Sequence, residues 1–401
     1  MRFPRGLRAL NHAQFRRFFS AQLLALTGSW MQTVAQSWLV LQLTNSPFRL
    51  GLIGTLQFAP VLLFSIFSGA VADRFPKRRI LIATQAMLAC QAAALGTLAW
   101  TGHAEYWHVG VLAVVVGLAH AIDLPARQSY VAEIVGREDL VNAVALNSAA
   151  FNAARIVGPA VAGVLIARFG VVPAFAMNSV GFVVVIAALA TLTTEGRPVA
   201  RPIAGVLAEI GEGIRYALAT PRIRVILALL FVVSFAVFNF TVYVPLLARD
   251  VLGLGAQGFG FLMAALGVGA VAGALTLGAS AAREPSIPLM FGEAAVACGG
   301  LLLLSAARHV PAAAALLVVI GFFGIMLVAG CNTALQLAAP DELRGRVMSL
   351  YTLIWGGVFP IGAFLVGTIS EAWSVSTAFL TMGSFALVSL AALAAWWRSR
   401  H

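Results

Sequence analysis

The run Gly69-Ala-Val-Ala-Asp73-Arg74-Phe75-Pro76-Lys77-Arg78-Arg79 carries the strongest structural signal in this chain. It separates two apolar runs, residues 50–71 and 80–101. Each is long enough to cross the hydrocarbon core of a bilayer as a helix, which takes about 20 residues. The chain must therefore reverse direction at a loop rich in cations. Because Lys and Arg near the ends of spans are retained on the cytoplasmic side, the run predicts a cytoplasmic hairpin between two transmembrane helices.

The composition as a whole indicates a membrane protein. Hydrophobic residues make up 61% of the 401 residues and charged residues 10%, whereas soluble domains contain about 25% charged residues. Of the 26 Lys and Arg residues, one lies within an apolar run, four lie on one side of the predicted membrane, and the others lie on the opposite side. The net charge of +11 is therefore a positive-inside signature. A nucleic-acid partner is not expected, because its footprint would be one basic face with stacking aromatic side chains.

Apolar windows predict an all-α integral membrane protein with twelve spans. The spans cover residues 18–43, 48–72, 79–101, 107–128, 140–167, 171–193, 223–247, 256–281, 286–307, 311–338, 344–370 and 374–397. Apolar residues at helical spacing in the polar interval after span 6 predict an amphipathic helix on the membrane surface. We therefore expect an N-terminal six-helix bundle over 1–193, a cytoplasmic linker over 194–222 and a C-terminal six-helix bundle over 223–401. An even number of spans places both termini in the cytoplasm.

The two halves also match each other at an offset of 204 residues. The matching pairs are Gly69 with Gly273, Arg79 with Arg283, Glu138 with Glu342, Gly163 with Gly367, and Ala174-Phe175 with Ala378-Phe379. Their order along one offset indicates duplication. Duplicated halves with a midplane cavity are the architecture of secondary transporters.

Two motifs resemble those of the major facilitator superfamily. Gly69-x-x-x-Asp73-Arg74-x-x-x-Arg78-Arg79 is similar to its signature loop between helices 2 and 3, and Arg155-Ile-Val-Gly158-Pro159-Ala-Val-Ala-Gly163 resembles the Gly-Pro motif of its drug and proton antiporters. Ala154 and Ala162 replace two of that motif's usual glycines. Further stretches resemble the enterobactin-exporter-like branch, namely Phe15-Arg-Arg-Phe-Phe, Gly28-Ser-Trp-Met-Gln, Pro125-Ala-Arg-Gln and Asp341-Glu-Leu-Arg-Gly-Arg-Val-Met-Ser-Leu-Tyr351.

The resemblance implies a particular fold and activity. The fold would be two pseudo-symmetric six-helix bundles. The activity would be efflux of small amphipathic molecules, siderophores or drugs, by alternating access in the inner membrane and usually in exchange for protons. Protons, membrane lipids and a small-molecule substrate are the expected partners, and the chain is expected to act as a monomer. Uptake or facilitated transport of a metabolite or lipid, and a receptor or scramblase without transport, are the alternatives.

The signature loop predicts a cytoplasmic latch between the halves. Gly69 allows helices to approach closely, and the Asp73 carboxylate suits the positive N-terminal end of the helix expected from Leu343. The loop's arginines are expected to pair with Asp123 or Glu133 at the base of span 4. The alternative is that these cations only set the topology. The candidate latch residues are Gly69, Asp73, Arg74, Arg78, Arg79, Asp123 and Arg127.

Span 5 places a cation deep in the predicted membrane. Arg155 lies about mid-span, where an unpaired cation is costly, so it must face water, a carboxylate or cargo. It would attract an anionic or catecholate-type cargo, tune a neighbouring acid, or act as a hydrogen-bonded clamp; these readings stay open. Pro159 removes one helical hydrogen bond and should kink the helix. Gly158 and Gly163 let a partner helix approach.

Amides, hydroxyls and aromatic side chains interleave along several spans. Such a mixture suits a cavity for amphipathic molecules, although polar groups that link helices would look the same. The candidate cavity residues are Gln32, Gln36, Asn152, Arg155, Asn239, Tyr243, Asn332, Gln336 and Trp355.

Proton coupling needs a group that protonates and deprotonates within a span. The candidates are Asp123, His120 and Glu293, although Arg127 at i+4 from Asp123 favours a structural ion pair there. The sequence contains no HExxH, GxSxG or GxxxxGK[ST] motif and no metal-like spacing of its three cysteines. We therefore expect neither an enzyme nor a metal or other cofactor.

Overall fold

The computed structural model describes residues 4–196, 206–279 and 285–399. Within these ranges the side chains of 5–6, 65–73, 206–210, 212–213, 279 and 341–342 lie outside the description. Among the predicted site residues this applies to the side chains of Gly69 and Asp73.

The described part of the chain is built from helices and contains no strand. The α-helices are α1 (Ala13–Thr44), α2 (Pro47–Arg74), α3 (Lys77–Trp100), α4 (Tyr106–Phe169), α5 (Val172–Ala190), α6 (Val206–Ala219), α7 (Pro221–Ala236), α8 (Phe240–Leu246), α9 (Ala256–Ala279), α10 (Ile287–Leu304), α11 (Val310–Ala338), α12 (Asp341–Gly357), α13 (Phe359–Ala372) and α14 (Val375–Arg398). A 3-10 turn, Arg5–Asn11, precedes α1, and a π-helical turn, Leu247–Val251, follows α8.

These helices cover the twelve predicted spans. They differ from the prediction in three places, where helices join or break. Predicted spans 4 and 5 follow each other without an intervening coil in α4, but they are two helices that meet at a kink at Gly136 (φ 71°, ψ 174°). Span 7 is broken into α7 and α8 around Val237–Asn239, and span 11 is broken into α12 and α13 at Val358. Ten helical stretches of the described chain are long and apolar enough to cross a membrane; α4 counts once among them and the more polar α1 is not included. The structure therefore agrees with about twelve crossings.

The predicted amphipathic helix is present in part. Helix α6 covers its C-terminal portion, while 197–205 lie outside the described residues. Ile214 and Leu218, on the predicted apolar face, are 42% and 59% exposed. An exposed apolar face next to a transmembrane segment is typical of a helix that lies in the membrane interface.

The chain contains two compact units, each of which makes most of its contacts within itself. The first contains the described residues up to 196 apart from 46–55, and the second contains 46–55 together with the described residues from 206 onward. In the first unit, α1 packs against α4 and α5, and α3 packs against the same two helices. Phe15, Phe18 and Tyr130 are buried in its core, with the rings of Phe18 and Tyr130 edge to face at 6.2 Å.

In the second unit, glycines form the seam between α9 and α11. A Cβ atom on Gly269 would lie 1.9 Å from the Val318 carbonyl oxygen, and one on Gly321 would lie 2.2 Å from the Leu266 carbonyl oxygen. Each helix thus presents a glycine to the backbone of the other. Small residues at such crossings allow the close backbone approach that drives helix association in membranes.

Gly269→Ala is expected to destabilise the second unit by about 1–3 kcal/mol, because the added methyl group meets backbone that cannot turn aside. Gly292→Ala in α10 is the matched control, since nothing lies within 4 Å of its added Cβ. Alanine there should be neutral or slightly stabilising, given its better helix propensity. Thermal unfolding of the purified proteins in detergent measures both effects. Equal melting temperatures for Gly269→Ala and wild type would contradict this description of the seam.

Candidate functional site

A buried ion pair lies at the centre of the first unit. Asp123 is 3% exposed. Its Oδ1 accepts hydrogen bonds from Thr84 (2.8 Å) and Gln85 (2.9 Å), and its Oδ2 accepts from Nε of Arg127 (2.8 Å). The guanidinium of Arg127 also donates to the side chain of Gln22. Because both carboxylate oxygens are occupied, the geometry favours a structural ion pair over a proton-exchanging group.

The cations of the signature loop make different contacts from those predicted. Arg127, and not an arginine of the loop, binds Asp123. At Glu133 the structure places Lys77, whose Nζ lies 2.5 Å from Oε1; Lys77 is 2% exposed. The guanidinium of Arg78 donates to the Leu192 carbonyl. Lys77, which the sequence suggested only as a topology signal, is thus a buried structural residue.

Further hydrogen bonds fix the chain just after α5 onto the rest of the first unit. The Tyr130 hydroxyl donates to the Thr194 carbonyl (2.7 Å). Oε1 of Gln14 accepts from the backbone amides of Thr193 (3.0 Å) and Thr194 (3.1 Å). The backbone amide of Arg78 donates to the Glu195 carbonyl (3.0 Å). The loop after α2 is therefore tied to the end of the first unit. The other two loop arginines, Arg74 and Arg79, are exposed.

Arg155 is buried against an aromatic side chain. It is 8% exposed, and its guanidinium carbon lies 5.8 Å from the ring centre of Trp30. The Trp30 ring in turn packs edge to face on Phe151 at 5.7 Å. No acidic side chain pairs with Arg155 in the described part of the chain. The nearby amide of Asn152 donates to the carbonyl one turn earlier.

The Gly-Pro motif lies where α4 meets α1. A Cβ atom on Gly158 would lie 2.6 Å from Cβ of Trp30 and 2.9 Å from the Thr27 carbonyl oxygen. Pro159 and Gly163 are buried. Pro159 lies inside α4, and the position of α4 with non-helical backbone angles is Gly136. The motif therefore serves close packing of these two helices.

The glutamines of α1 form hydrogen bonds between helices. Gln32 donates to Gln91 of α3 (2.8 Å) and accepts from Asn178 of α5 (2.7 Å), and all three are buried. Gln36 donates to Gln57 of α2 (2.9 Å). This arrangement favours the interhelical alternative over cavity lining for Gln32. Gln91 and Asn178 were missed; amides within the apolar spans 3 and 6 were the available signal.

Asn239 and Tyr243, predicted to line the cavity, are in the core of the second unit. The Asn239 amide donates to the Phe235 carbonyl (2.7 Å), and the Tyr243 hydroxyl donates to the Ala236 carbonyl (2.9 Å). These carbonyls are freed by the break between α7 and α8. The Tyr243 ring stacks on Phe379 at 4.8 Å, and neither predicted residue is more than 1% exposed. Both side chains thus stabilise a broken helix, a role that their sequence pattern did not reveal.

The remaining predicted cavity residues of the second unit, Asn332, Gln336 and Trp355, lie on α11 and α12 and are not buried. Gln336 donates to Asn332 one turn earlier on α11 (2.6 Å). The Trp355 ring of α12 packs edge to face on Phe238 at 4.6 Å. We call these three residues, together with Phe238 between α7 and α8, the α11–α12 face. Its combination of amides and open aromatic rings suits a flat, partly polar molecule.

Of the candidate coupling residues, Glu293 differs most from Asp123. It lies on α10 and is 4% exposed, yet it forms no ion pair with the side chains that the structure describes. His120 lies one turn before Asp123 on α4 and is half-buried. A buried carboxyl group without a counter-ion is the kind of group that can exist in both protonation states.

Comparison with known proteins assigns the family. The model of the MFS_3 family, described as transmembrane secretion effector, matches residues 5–400. The multidrug efflux pump Tap of Mycolicibacterium fortuitum is 28% identical over an alignment of 375 residues that covers 90% of this chain and 90% of Tap. The enterobactin exporter EntS of Shigella flexneri is 25% identical over 360 residues, which are 89% of this chain and 85% of EntS.

The fold is also that of a solved transporter. The crystal structure of the nucleoside transporter NupG superposes with a TM-score of 0.74 at 12% identity, covering 95% of this chain and 98% of NupG. At 12% identity this structural similarity shows a shared fold and does not show a shared substrate. The likeness to NupG confirms the predicted fold class. The match of the family model to nearly the whole chain confirms the resemblance to the major facilitator superfamily that the sequence motifs indicated. The chain is a membrane transporter that belongs to the MFS_3 family of transmembrane secretion effectors within the major facilitator superfamily.

Proposed function

We propose that this chain exports small amphipathic molecules, siderophore-like or drug-like, across the inner membrane by alternating access. Its similarity to Tap and to the enterobactin exporter over nine tenths of its length supports this proposal. The chain would act as a monomer with both termini in the cytoplasm, in line with the distribution of its cations.

Arg155 is the observation that carries the proposal. A guanidinium that is buried in a span, lies on an indole ring and has no described carboxylate partner offers its charge to a molecule from outside the protein. An anionic or strongly polarised oxygen, such as that of a carboxylate or catecholate, would satisfy it. Trp30 and Phe151 provide rings on which an aromatic cargo stacks.

Each unit offers its own surface to the cargo. In the first unit this surface consists of Arg155, Trp30, Phe151 and Asn152. In the second unit it is the α11–α12 face. Both combine aromatic rings with few polar groups, as expected for a transporter that accepts several amphipathic molecules by stacking and a small number of hydrogen bonds.

The experiment that tests export uses cells that lack their own exporters. These cells are exposed to a panel of antibiotics, dyes and iron chelators, with and without expression of this chain. At least one aromatic member of the panel should accumulate less in the expressing cells. Equal accumulation of every member at confirmed expression of the protein would contradict the proposed function.

We also propose that the signature loop controls the balance between inward-open and outward-open states. The proposal rests on the spacing of Asp73 and the loop arginines, since the Asp73 side chain is outside the described set. The contacts of Lys77 and Arg78 support it by holding the loop rigidly on the first unit.

Asp73→Asn is therefore expected to shift the population of the two states several-fold, because it removes a charge that favours one of them. Spectroscopic distance measurements between labels on the two halves report these populations. Asp250→Asn, a charge change at a partly exposed ion pair with Arg249, is the control and should leave these populations unchanged. If the Asp73→Asn populations equal those of the wild type, the loop serves topology alone.

We further propose that protons drive export and that Glu293 is the coupling group. Glu293 is buried without a described ion-pair partner, whereas both carboxylate oxygens of Asp123 are already occupied. A carboxyl group without a counter-ion in the protein is the better candidate to take up and release a proton during transport.

A further inference from the structure

A cluster of cations lies where two spans of the second unit reach the same membrane boundary. The apolar stretch that contains α7 begins at Pro221, and the apolar stretch of α14 ends at Arg398. The two helices pack against each other. Arg222 and Arg224 at the start of α7 therefore lie close to the end of α14, at the level where lipid headgroups meet the hydrocarbon.

Arg224 has an unusual environment for a cation. Its guanidinium carbon lies 4.2 Å from the ring centre of Trp396 on α14, in the geometry of a cation–π contact. Its Nε is buried and has no hydrogen-bond acceptor among the described groups. Neither α7 nor α14 contains an acidic residue. The indole thus covers one face of the guanidinium, while Nε lacks an acceptor among the described groups.

We propose that this cluster binds the phosphate of an anionic phospholipid. A guanidinium donates two parallel hydrogen bonds to a phosphate, a geometry that a lysine does not provide. The cluster lies at the membrane boundary, where the headgroups of the adjacent leaflet also lie. The phosphate is therefore that of a lipid and not a soluble phosphate. Arg222 and Arg398 add positive charge around it.

The surface beyond the cluster fits the acyl chains of the same lipid. Phe231 on α7 and Phe385 and Val388 on α14 are 42%, 47% and 69% exposed. They lie further into the two apolar stretches than Arg224 and Trp396 do. If the headgroup of a lipid binds Arg224, the acyl chains of that lipid would therefore run along an apolar surface.

The test measures lipid binding to the purified full-length protein by native mass spectrometry. Phosphatidylglycerol and phosphatidylcholine with identical acyl chains serve as probes. The wild type should bind phosphatidylglycerol in clear preference. Arg224→Gln should weaken that binding about fivefold or more, the effect of one cation at a membrane surface. Arg168→Gln removes an exposed arginine at the end of α4 and is the matched control, with binding unchanged.

Two further variants keep the test decisive if Arg224→Gln folds poorly. Trp396→Leu keeps every charge and removes the stacking surface, and Arg224→Lys keeps the charge and removes the forked donors. Both should weaken phosphatidylglycerol binding by a smaller factor than Arg224→Gln. Wild-type affinity in all three variants would overturn the proposal. Displacement of the lipid by millimolar inorganic phosphate would overturn it too, because the site would then serve a soluble anion.

Discussion

Asp123→Ala is expected to lower the free energy of unfolding by about 3–5 kcal/mol. The substitution leaves the Arg127 guanidinium inside the first unit without its counter-ion, and removing one partner of a buried ion pair has this effect. It also leaves Thr84 and Gln85 without the acceptor to which both now donate. The loss should therefore exceed that of any single neutral contact in this unit.

Thermal or denaturant unfolding of the purified protein in detergent measures this loss. Asp123→Asn should retain part of the hydrogen bonding and lose less stability. Asp250→Ala breaks a partly exposed ion pair with Arg249 and should cost about 0–1 kcal/mol. If Asp123→Ala and Asp250→Ala melt at the same temperature, the buried network does not stabilise the unit as described.

Arg155→Gln is expected to reduce transport of an anionic cargo about 10- to 150-fold. This range corresponds to the loss of one hydrogen bond to a charged group, about 1.5–3 kcal/mol. Stability should change little, because no described carboxylate depends on Arg155. The structural alternative, a clamp that holds the helices together, predicts the opposite combination of lost stability and unaltered cargo preference.

Two comparisons separate these alternatives. Transport rates of an anionic and a neutral member of the same cargo series show whether the loss is specific for charge. Arg155→Lys keeps the cation and should retain most of the preference for the anion. Trp30→Phe keeps a smaller aromatic ring beside Arg155 and should lower the transport rates of the anionic and the neutral cargo by the same factor. An equal loss for both cargoes in Arg155→Gln, together with a lower melting temperature, would favour the clamp.

The fold was largely predictable from the sequence, because apolar length determines where a chain crosses a membrane. The exceptions concern the backbone within spans. The polar stretch between predicted spans 4 and 5 is helical on both sides of a kink at Gly136 and is not a coil, since hydropathy reports depth in the membrane and not hydrogen bonding. The break at Val237–Asn239 contains neither Gly nor Pro, so no local signal indicated it; the side chains of Asn239 and Tyr243 stabilise it by donating to carbonyls of the last turn of α7.

The site was predictable only where its partners are close in sequence. The pair of Asp123 and Arg127 follows from i, i+4 spacing. The partners of Asp123 on α3, and those of Gln32 on α3 and α5, depend on which helices pack together, and spacing along one span does not specify that. Lys77 is the clearest example, because a cation in a charged loop gives no indication that it will be buried against Glu133.

Transport by purified protein in proteoliposomes, with an imposed pH gradient, tests proton-coupled export. A cargo identified in the cell panel should move against its concentration gradient only while the proton gradient lasts, and a protonophore should abolish this. Glu293→Gln should transport cargo down its gradient but should no longer respond to protons. Accumulation that is the same with and without the proton gradient in the wild type would contradict the account.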